Sequence, residues 1–247
     1  MRPFEKLIGA LVKGSPAHRR RTVSPQPTTI DFGDFLSPDP ISNTFGFDRG
    51  TPIDRYYLEG FLEQHAGDVR GVCLEVAENT YTLRFGKERV TQSDTLHATG
   101  TEKEWTIIGD LTNLDSVADS TYDCIILTQV LQFIFDVPAA IHEVHRILKP
   151  GGVCLATGNG ISQISRYDME RWGEYWRLTD LSAHRLFESV FDSSDIKVTT
   201  YGNAGSAVAF LEGLAAEELS SELLDIHHTD YQVLIAIRAQ KASDTGN

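Results

Sequence analysis

The stretch from residue 122 to residue 157 constrains the fold more than any other part of the chain. Residues 122–128 form a continuous apolar, β-rich run, which is typical of a strand buried on both faces of a sheet. A helical pattern follows over residues 138–148 and ends at a proline and two glycines. Residues 153–157 are a second apolar run. A strand, a helix and a strand in this order indicate a parallel βαβ unit.

The same alternation of strands and helices extends over most of the 247 residues. It predicts an α/β protein with a doubly wound, mostly parallel, seven-stranded sheet and helices on both faces. A chain of this length can bury a full core in one domain. The predicted strands are residues 72–77, 89–94, 105–110, 122–128, 153–157, 196–201 and 231–238, and the predicted helices begin at Pro52 and cover residues 138–148 and 181–191.

Segments outside this pattern define the domain organisation. Residues 1–50 are rich in Pro, Ser, Thr and Gly without a lasting period, and predict an extended N-terminal arm with one short helix at residues 4–13. The sheet domain is expected over residues 51–240, with a helical insertion at 203–229. Residues 241–247 are expected to form a polar tail.

Composition excludes some classes of function. The net charge of −13 argues against a nucleic-acid-binding protein. No apolar run approaches the ~20 residues of a membrane span. The first 22 residues are basic, with six Lys or Arg and one Glu. They are either a solvated tail or an arm that docks on an acidic partner, and a homo-oligomer or protein partner through this arm stays open.

The three cysteines indicate a reduced, cytoplasmic protein. Cys73, Cys124 and Cys154 each lie inside a predicted buried strand, where a free thiol behaves as a small apolar side chain. None belongs to a Cys-x-x-Cys or Cys/His pattern, and we therefore expect no metal site.

The turn after the first predicted strand is unusual for a nucleotide-binding domain. Such turns usually carry glycines that let the backbone approach a ligand. Here residues 77–81 read Ala-Glu-Asn-Thr-Tyr, and the first later glycine is Gly86. Acids are predicted at three strand ends, at Glu75, at Asp94 (19 residues later) and at Asp110. Carboxylates accept hydrogen bonds from ribose hydroxyls or a cation but do not suit a pyrophosphate, so the set favours a cationic nucleoside.

Three segments resemble the class I S-adenosylmethionine-dependent methyltransferases. Residues 119–134 are similar to the fourth-strand motif of that family, and residues 146–152 are similar to the motif that follows its next helix. Residues 170–179 contain Tyr-Trp-Arg-Leu-Thr, similar to the signature of a subgroup often linked to sugar and natural-product pathways. The resemblance covers residues 51–240, with its core at residues 110–152. It indicates a methyltransferase type 11-like protein with a degenerate glycine loop.

The resemblance implies S-adenosylmethionine as cofactor and assigns its binding residues. The ribose is expected at Asp94, the adenine at Asp110 and Leu111, and the methionine portion at Thr128 and Gln129. The full set of implied cofactor residues is Glu75, Ala77, Glu78, Asn79, Tyr81, Asp94, Asp110, Leu111, Thr128 and Gln129.

A second set of residues is expected to bind the substrate. Aromatic rings and arginines suit a sugar, a carboxylate or a phosphate-bearing acceptor, although the same rings are equally suited to packing the core. The predicted substrate residues are Arg55, Tyr56, Tyr57, Gln132, Asn159, Arg166, Tyr167, Trp176 and Arg177.

The sequence therefore predicts methyl transfer to a small acceptor, with a hydroxyl of a sugar or secondary metabolite favoured. Two alternatives stay open, namely a non-catalytic methyltransferase-like partner subunit and a methyltransferase fold repurposed for another reaction. A hydroxyl acceptor benefits from a general base, but none of His142, His145 and His184 stands out as that base. The catalytic residue is unassigned at this level.

Overall fold

Seven strands form a single sheet in the computed structural model, which describes residues 37–100 and 105–243 together with Gly33. The strands are β1 Gly71–Val76, β2 Val90–His97, β3 Ile107–Ile108, β4 Tyr122–Thr128, β5 Leu148–Asn159, β6 Ile196–Tyr201 and β7 Leu234–Gln240. Their order in the sheet is β3-β2-β1-β4-β5-β7-β6. Only β7 runs antiparallel to its neighbours. The predicted fold class is confirmed.

Helices cover both faces of this sheet. They are α1 Ile53–Gln64, α2 Val137–Ile147, α3 Arg166–Arg171, α4 Asp180–Phe187, α5 Ala204–Leu211 and α6 Ser221–Leu224. Alternate residues of β4 belong to two separate apolar clusters. Ile125 and Leu127 pack with α2 and α4, whereas Cys124 and Ile126 pack with α1 and α5. This period of two is the geometry of a strand, and it explains why β4 is apolar throughout.

The crossover from β1 to β2 is short. Residues 77–89 contain no full α-helix, but a single π-helical turn, Thr82–Gly86, followed by a 3₁₀ turn, Lys87–Arg89. Phe85 of the π-helical turn is buried in the cluster that α1 covers. A parallel connection needs about a dozen residues, usually with a helix, so this crossover is close to the minimum.

The second strand ends later than its sequence pattern predicts. The prediction placed its end at Asp94, but β2 continues to His97. Asp94 pairs with Leu74 in the middle of β1, and Leu96 pairs with the last residue, Val76. The strand pattern in the sequence is weak because most residues of β2, which lies towards one edge of the sheet, are polar. Only the buried Leu96 marks the true end of the strand.

Part of the expected N-terminal arm belongs to the folded unit. That unit begins at Ser37. The Ser42 backbone N–H donates to the carbonyl of Glu212 at 2.9 Å, Phe45 packs on Phe210, and Arg49 forms an ion pair with Glu218. The expectation of an extended arm is therefore wrong for residues 37–50.

Other predicted segments have mixed outcomes. The expected insertion at 203–229 contains α5, a 3₁₀ turn and α6. The helix α5 ends at Leu211, and Gly213 takes a positive φ of 72° two residues later, as is common after a helix end. The expected short helix at residues 4–13 and the last four residues of the expected polar tail lie outside the described residues.

All three cysteines are buried free thiols, as their sequence context predicts. Within residues 37–100 and 105–243, no helix is long and apolar enough to cross a membrane. The same residues contain no cluster of His, Cys, Asp and Glu that could hold a metal ion.

Candidate functional site

A cavity of about 650 Å³ opens at the carboxyl ends of the central strands. Its volume lies within the usual range of small-molecule sites. In open α/β sheets this edge is where ligands bind. Its lining residues are Val76, Ala77, Leu96, His97, Ala98, Gly109, Asp110, Leu111, Thr112, Thr128, Gln129, Val130, Phe133, Ile134, Phe135, Asp136, Asp168, Trp172 and Tyr175.

The turn after β1, hereafter the β1 turn (residues 77–81), begins with a backbone conformation that favours glycine. Ala77 has a φ of +72°, a left-handed conformation that usually selects glycine. Its N–H donates to the carbonyl of Leu96 at 2.9 Å, which fixes the turn against β2. Holding a non-glycine residue there costs about 1–2 kcal/mol. Among the residues strained in this conformation, alanine has the smallest side chain, so it takes little of the cavity volume.

The bulky residues of the β1 turn do not fill the cavity. Ala77 lines it, but Glu78, Asn79 and Tyr81 do not. Glu78 is exposed, and Tyr81 stacks on Phe85 with ring centroids 6.1 Å apart. The degenerate glycine loop therefore leaves the site open.

Glu75 has a structural role in this region. Its buried carboxylate accepts from the backbone N–H of Thr82 at 2.7 Å and from that of Tyr81 at 3.3 Å. Burial raises the pKa of Glu75, and these hydrogen bonds oppose the shift. The carboxylate fixes the start of the π-helical turn and does not line the cavity, although the sequence analysis placed it among the cofactor residues.

The structure does not bring Asp94, the predicted ribose residue, to the cavity. Asp94 lies inside β2 and is buried, and its carboxylate accepts from the Tyr122 hydroxyl at 3.1 Å and from the Gln92 amide at 3.0 Å. Burial, together with the charge of Asp94, raises the pKa of Tyr122. Asp94 does not line the cavity, and His97 takes the position at the strand end.

His97 belongs to an aromatic group that sequence reasoning missed. Its ring stacks on Trp105 at 4.6 Å and meets the edge of Trp172 at 5.4 Å. His97 and Trp172 both line the cavity, one from β2 and the other from the segment after α3. The alternating pattern of β2 continues to Leu96, and this was the sequence signal that could have placed His97 at the strand end. Trp172 had no such signal, because it comes from a distant segment.

Four predicted cofactor residues meet at the cavity in addition to Ala77. Asp110 and Leu111 follow β3, and Thr128 and Gln129 end β4. The Asp110 carboxylate accepts from the Thr112 N–H at 2.9 Å, which holds it in a turn.

Gln129 is the most constrained residue of the β4 end. Its φ is +56°, and its backbone N–H donates to the carbonyl of Thr157 at 3.1 Å. Its side-chain amide donates to the carboxylate of Asp54 at 3.2 Å and accepts from Gln132 at 3.0 Å. Unusual backbone conformations of this kind are concentrated at ligand sites. Asp54 comes from the first turn of α1, and no sequence pattern joined it to Gln129.

The predicted substrate residues are not all brought to this cavity. Tyr56 and Tyr57 line a separate cavity of about 780 Å³ between α1 and α6. Their hydroxyls donate to Asp225 and to the carbonyl of Leu224, both at 2.9 Å. The structure therefore separates this tyrosine pair from the strand ends.

Arg177 and Trp176 hold the segment that crosses the cavity. Arg177 pairs with Glu174 at 2.6 Å and donates to the carbonyl of Gln163 at 2.8 Å, so its guanidinium is occupied. Trp176 donates from its indole nitrogen to the carbonyl of Ile134 at 3.0 Å. Four of the remaining predicted substrate residues adjoin this segment: Arg166 and Tyr167 are exposed on α3, which precedes it, and Gln132 and Asn159 are buried, with carbonyls that accept from the backbone N–H groups of Tyr175 and Leu178. Arg55 is half-buried on α1.

An aromatic rim borders the opening. Phe135 is 70% exposed, and its ring lies 5.3 Å from that of Tyr175 and 5.9 Å from that of Trp176. Phe135 and Tyr175 line the cavity. Large apolar groups left in water at the mouth of a cavity are typical of a binding surface.

The comparisons with known proteins agree with this geometry. Residues 65–156 match the model of the family described as a methyltransferase domain, a range that runs from the end of α1 into β5. This part of the chain, less than half of its length, is similar to methyltransferase domains, whose methyl donor is S-adenosylmethionine. The cavity lies where the methyltransferase resemblance expected it.

Solved structures show the same fold. A S-adenosylmethionine-dependent methyltransferase from Archaeoglobus fulgidus is similar with a TM-score of 0.50 and 13% identity, over 76% of this chain and 94% of the other. Phosphoethanolamine N-methyltransferase 2 from Haemonchus contortus, in complex with S-adenosylmethionine, gives 0.51 and 14%, over 76% of this chain and 53% of the other. No curated protein sequence matches the chain.

The residues of the cavity fit this donor. The cavity has the needed volume and keeps the left-handed turn at Ala77. It offers an apolar wall at Leu111 and polar atoms at Asp110 and Gln129, which suits a nucleoside with a polar amino-acid portion.

Proposed function

We propose that this methyltransferase transfers the methyl group of S-adenosylmethionine to a hydroxyl of a small acceptor, a sugar or a secondary metabolite. The observation that carries the proposal is the open cavity beside Ala77, whose turn keeps a glycine-type path without a glycine. Bound there, the donor supplies a methyl group already activated by its positive sulfur. The protein then has to position the two reactants and exclude water, which is a large part of the rate enhancement.

Each wall of the cavity has a proposed role in holding the donor. Asp110 and Leu111 bound the adenine, and His97 takes the ribose at the end of β2 in place of Asp94. Thr128 and Gln129 face the methionine portion. The support for these roles is that the five side chains line one cavity at the same edge of the sheet.

The acceptor is proposed to enter over the aromatic rim. Phe135 and Tyr175 present ring surfaces to the opening, and the apolar face of a sugar or a planar metabolite packs well on such rings. A hydroxyl must lose its proton during transfer, and that proton leaves to a base or to water. An amine acceptor is the competing class, and the Haemonchus contortus relative is an N-methyltransferase by name.

We also propose that the protein acts in the cytoplasm on small molecules and not on nucleic acid. Buried free thiols and a net charge of −13 support this placement. An oligomer or a protein partner, reached through the basic N-terminal residues, stays a prediction.

Calorimetric titration with S-adenosylhomocysteine tests the donor site. We expect micromolar affinity for the wild-type protein and at least a tenfold loss, about 1.4 kcal/mol, in Leu111→Asp. Glu63→Gln on the exposed side of α1 is the control and should bind like the wild type. Absence of binding to the wild type would favour a non-catalytic or repurposed fold.

Acceptor class is tested separately with radiolabelled methyl donor. Matched pairs of acceptors that differ only in an amine or a hydroxyl are offered, and the methylated atom is located by mass spectrometry. Methylation of the hydroxyl members is expected. Methylation of the amines alone would replace the hydroxyl proposal with an N-methyltransferase.

A further inference from the structure

A buried carboxylate without an ion pair lies behind the cavity wall. Asp54 is 7% exposed in the first turn of α1. None of the ion pairs among the described residues includes it. Burial raises the pKa of Asp54, while the charge of Arg55 and nearby backbone N–H groups oppose the shift. A buried anion is costly unless something positive or hydrogen-bonding compensates it.

The side chains around Asp54 offer acceptor atoms in excess. We call Asp54, Gln129 and Gln132 the Asp54 cluster. The side-chain oxygen of Gln132 has no hydrogen-bond partner among the described residues, although this residue is only 2% exposed. The one donor known to reach the Asp54 carboxylate from a side chain is the Gln129 amide. The hydrogen-bonding capacity that the cluster leaves unsatisfied is therefore that of acceptor oxygens, which carry partial negative charge.

The Asp54 cluster is connected to the cavity through one residue. Gln129 lines the cavity and bonds to Asp54 on its other side. Gln132 bonds to Gln129 and lies over β5, since a Cβ built on Gly158 would be 3.9 Å from its free oxygen. The polarity of this wall therefore acts on whatever occupies the cavity beside Gln129.

The methyl donor and its product differ by one positive charge. Both carry the same adenosine and amino-acid groups, but sulfur is positive in S-adenosylmethionine and neutral in S-adenosylhomocysteine. Charges separated by a few ångströms of protein interact more strongly than they do in water. A buried carboxylate near the sulfur would thus favour the donor over the product.

Building on the proposed function, we propose that the Asp54 cluster discriminates donor from product by charge, with Asp54 as a positioning residue that acts through Gln129. The cluster then strengthens donor binding and promotes release of the neutral product. This role needs no contact between Asp54 and the ligand, because the electrostatic effect extends through the Gln129 side chain.

Binding of both ligands to matched variants tests the inference. Asp54→Asn removes the charge at nearly constant shape, Asp54→Glu keeps the charge, and Glu63→Gln removes an exposed charge from the same helix. Affinities for S-adenosylmethionine and S-adenosylhomocysteine are measured by calorimetry for each variant. Their ratio within one variant cancels a general loss of folded protein, which thermal melting monitors independently.

The expected result is selective. Asp54→Asn should weaken S-adenosylmethionine binding tenfold or more and change S-adenosylhomocysteine binding less than twofold. Asp54→Glu and Glu63→Gln should keep the wild-type preference. Equal losses for both ligands, or no loss for either, would overturn the inference while leaving the proposed donor site intact. If neither ligand binds the wild-type protein, the proposed function fails, and this inference fails with it.

Discussion

The cavity has two walls of opposite construction. At the β1 turn the ligand-facing surface is backbone, with Ala77 contributing only a methyl group. At the end of β4 the surface is the side chain of Gln129, supported from behind by the Asp54 cluster. Both walls contain a non-glycine residue with positive φ. One wall therefore depends on the absence of side-chain bulk, and the other depends on a connected set of polar side chains.

This contrast shows what each wall can tolerate. A backbone wall tolerates any outward-facing residue, which is why Glu78 and Asn79 can stand beside it without closing the cavity. A side-chain wall tolerates little, since removing one member leaves buried polar partners unsatisfied.

The backbone wall should fail when Ala77 gains a branched side chain. In Ala77→Val the branched Cβ is strained at a φ of +72° and its methyl groups occupy cavity space. We expect a loss of S-adenosylhomocysteine affinity of about 100-fold, near 2.7 kcal/mol, measured by calorimetry. A fully active binding site in Ala77→Val would refute the backbone description of this wall.

The side-chain wall should lose both stability and affinity in Gln129→Ala. The change leaves the Asp54 carboxylate and the Gln132 amide without their partner, at a cost of about 1–3 kcal/mol in the free energy of unfolding. Chemical denaturation measures this loss, and donor affinity should fall about tenfold in parallel. Thr112→Ala, a substitution at the cavity edge that keeps its backbone N–H bond to Asp110, is the control. Unchanged stability would show that the buried hydrogen bonds are not formed.

The ring contact between Trp172 and His97 should make a smaller contribution to donor binding than either wall. Trp172→Ala removes a ring that contacts His97 and lines the cavity. Aromatic pairs contribute about 0.5–1.5 kcal/mol, so donor affinity should fall two- to tenfold with little change in melting temperature. Trp172→Phe keeps a ring and should recover most of the loss. A loss as large as that of Ala77→Val would mean that Trp172, and not the β1 turn, dominates donor binding.

The smallest expected effect is a gain. Ala77→Gly removes the strain at positive φ but adds flexibility to the unfolded chain, leaving a net stabilisation of about 0.5–1 kcal/mol. Denaturation should detect this increase, and S-adenosylhomocysteine affinity should stay within twofold of the wild type. A destabilised glycine variant would show that Ala77 is not strained.

Sequence reasoning succeeded where a single segment carries its own signal. The apolar run of β4 and the glycines after α2 suffice to predict a parallel sheet, and the cavity residues Asp110, Leu111, Thr128 and Gln129 follow from strand ends. It failed at β2, because the polar residues of this strand obscure its true end at His97. The predicted strand end, Asp94, lies three residues before it.

Contacts between distant segments account for the rest of what was missed. Asp54 meets Gln129 only because α1 packs beside β4, and Trp172 meets His97 only because the segment after β5 crosses the cavity. The tyrosines of α1 were expected at the acceptor site, but the helix directs them to the cavity beside α6. Which face of a helix meets which strand end is a property of packing, and periodicity alone does not supply it.

A crystal structure of the 247-residue chain with S-adenosylhomocysteine directly tests whether the β1 turn, despite lacking glycine, forms a working donor site with the end of β4. The predicted result is ligand density in the cavity at the strand ends, with the adenine against Leu111 and the amino-acid portion beside Ala77 and Gln129. Density in the cavity between α1 and α6, or a strand-end cavity closed by Glu78 or Tyr81, would contradict the claim.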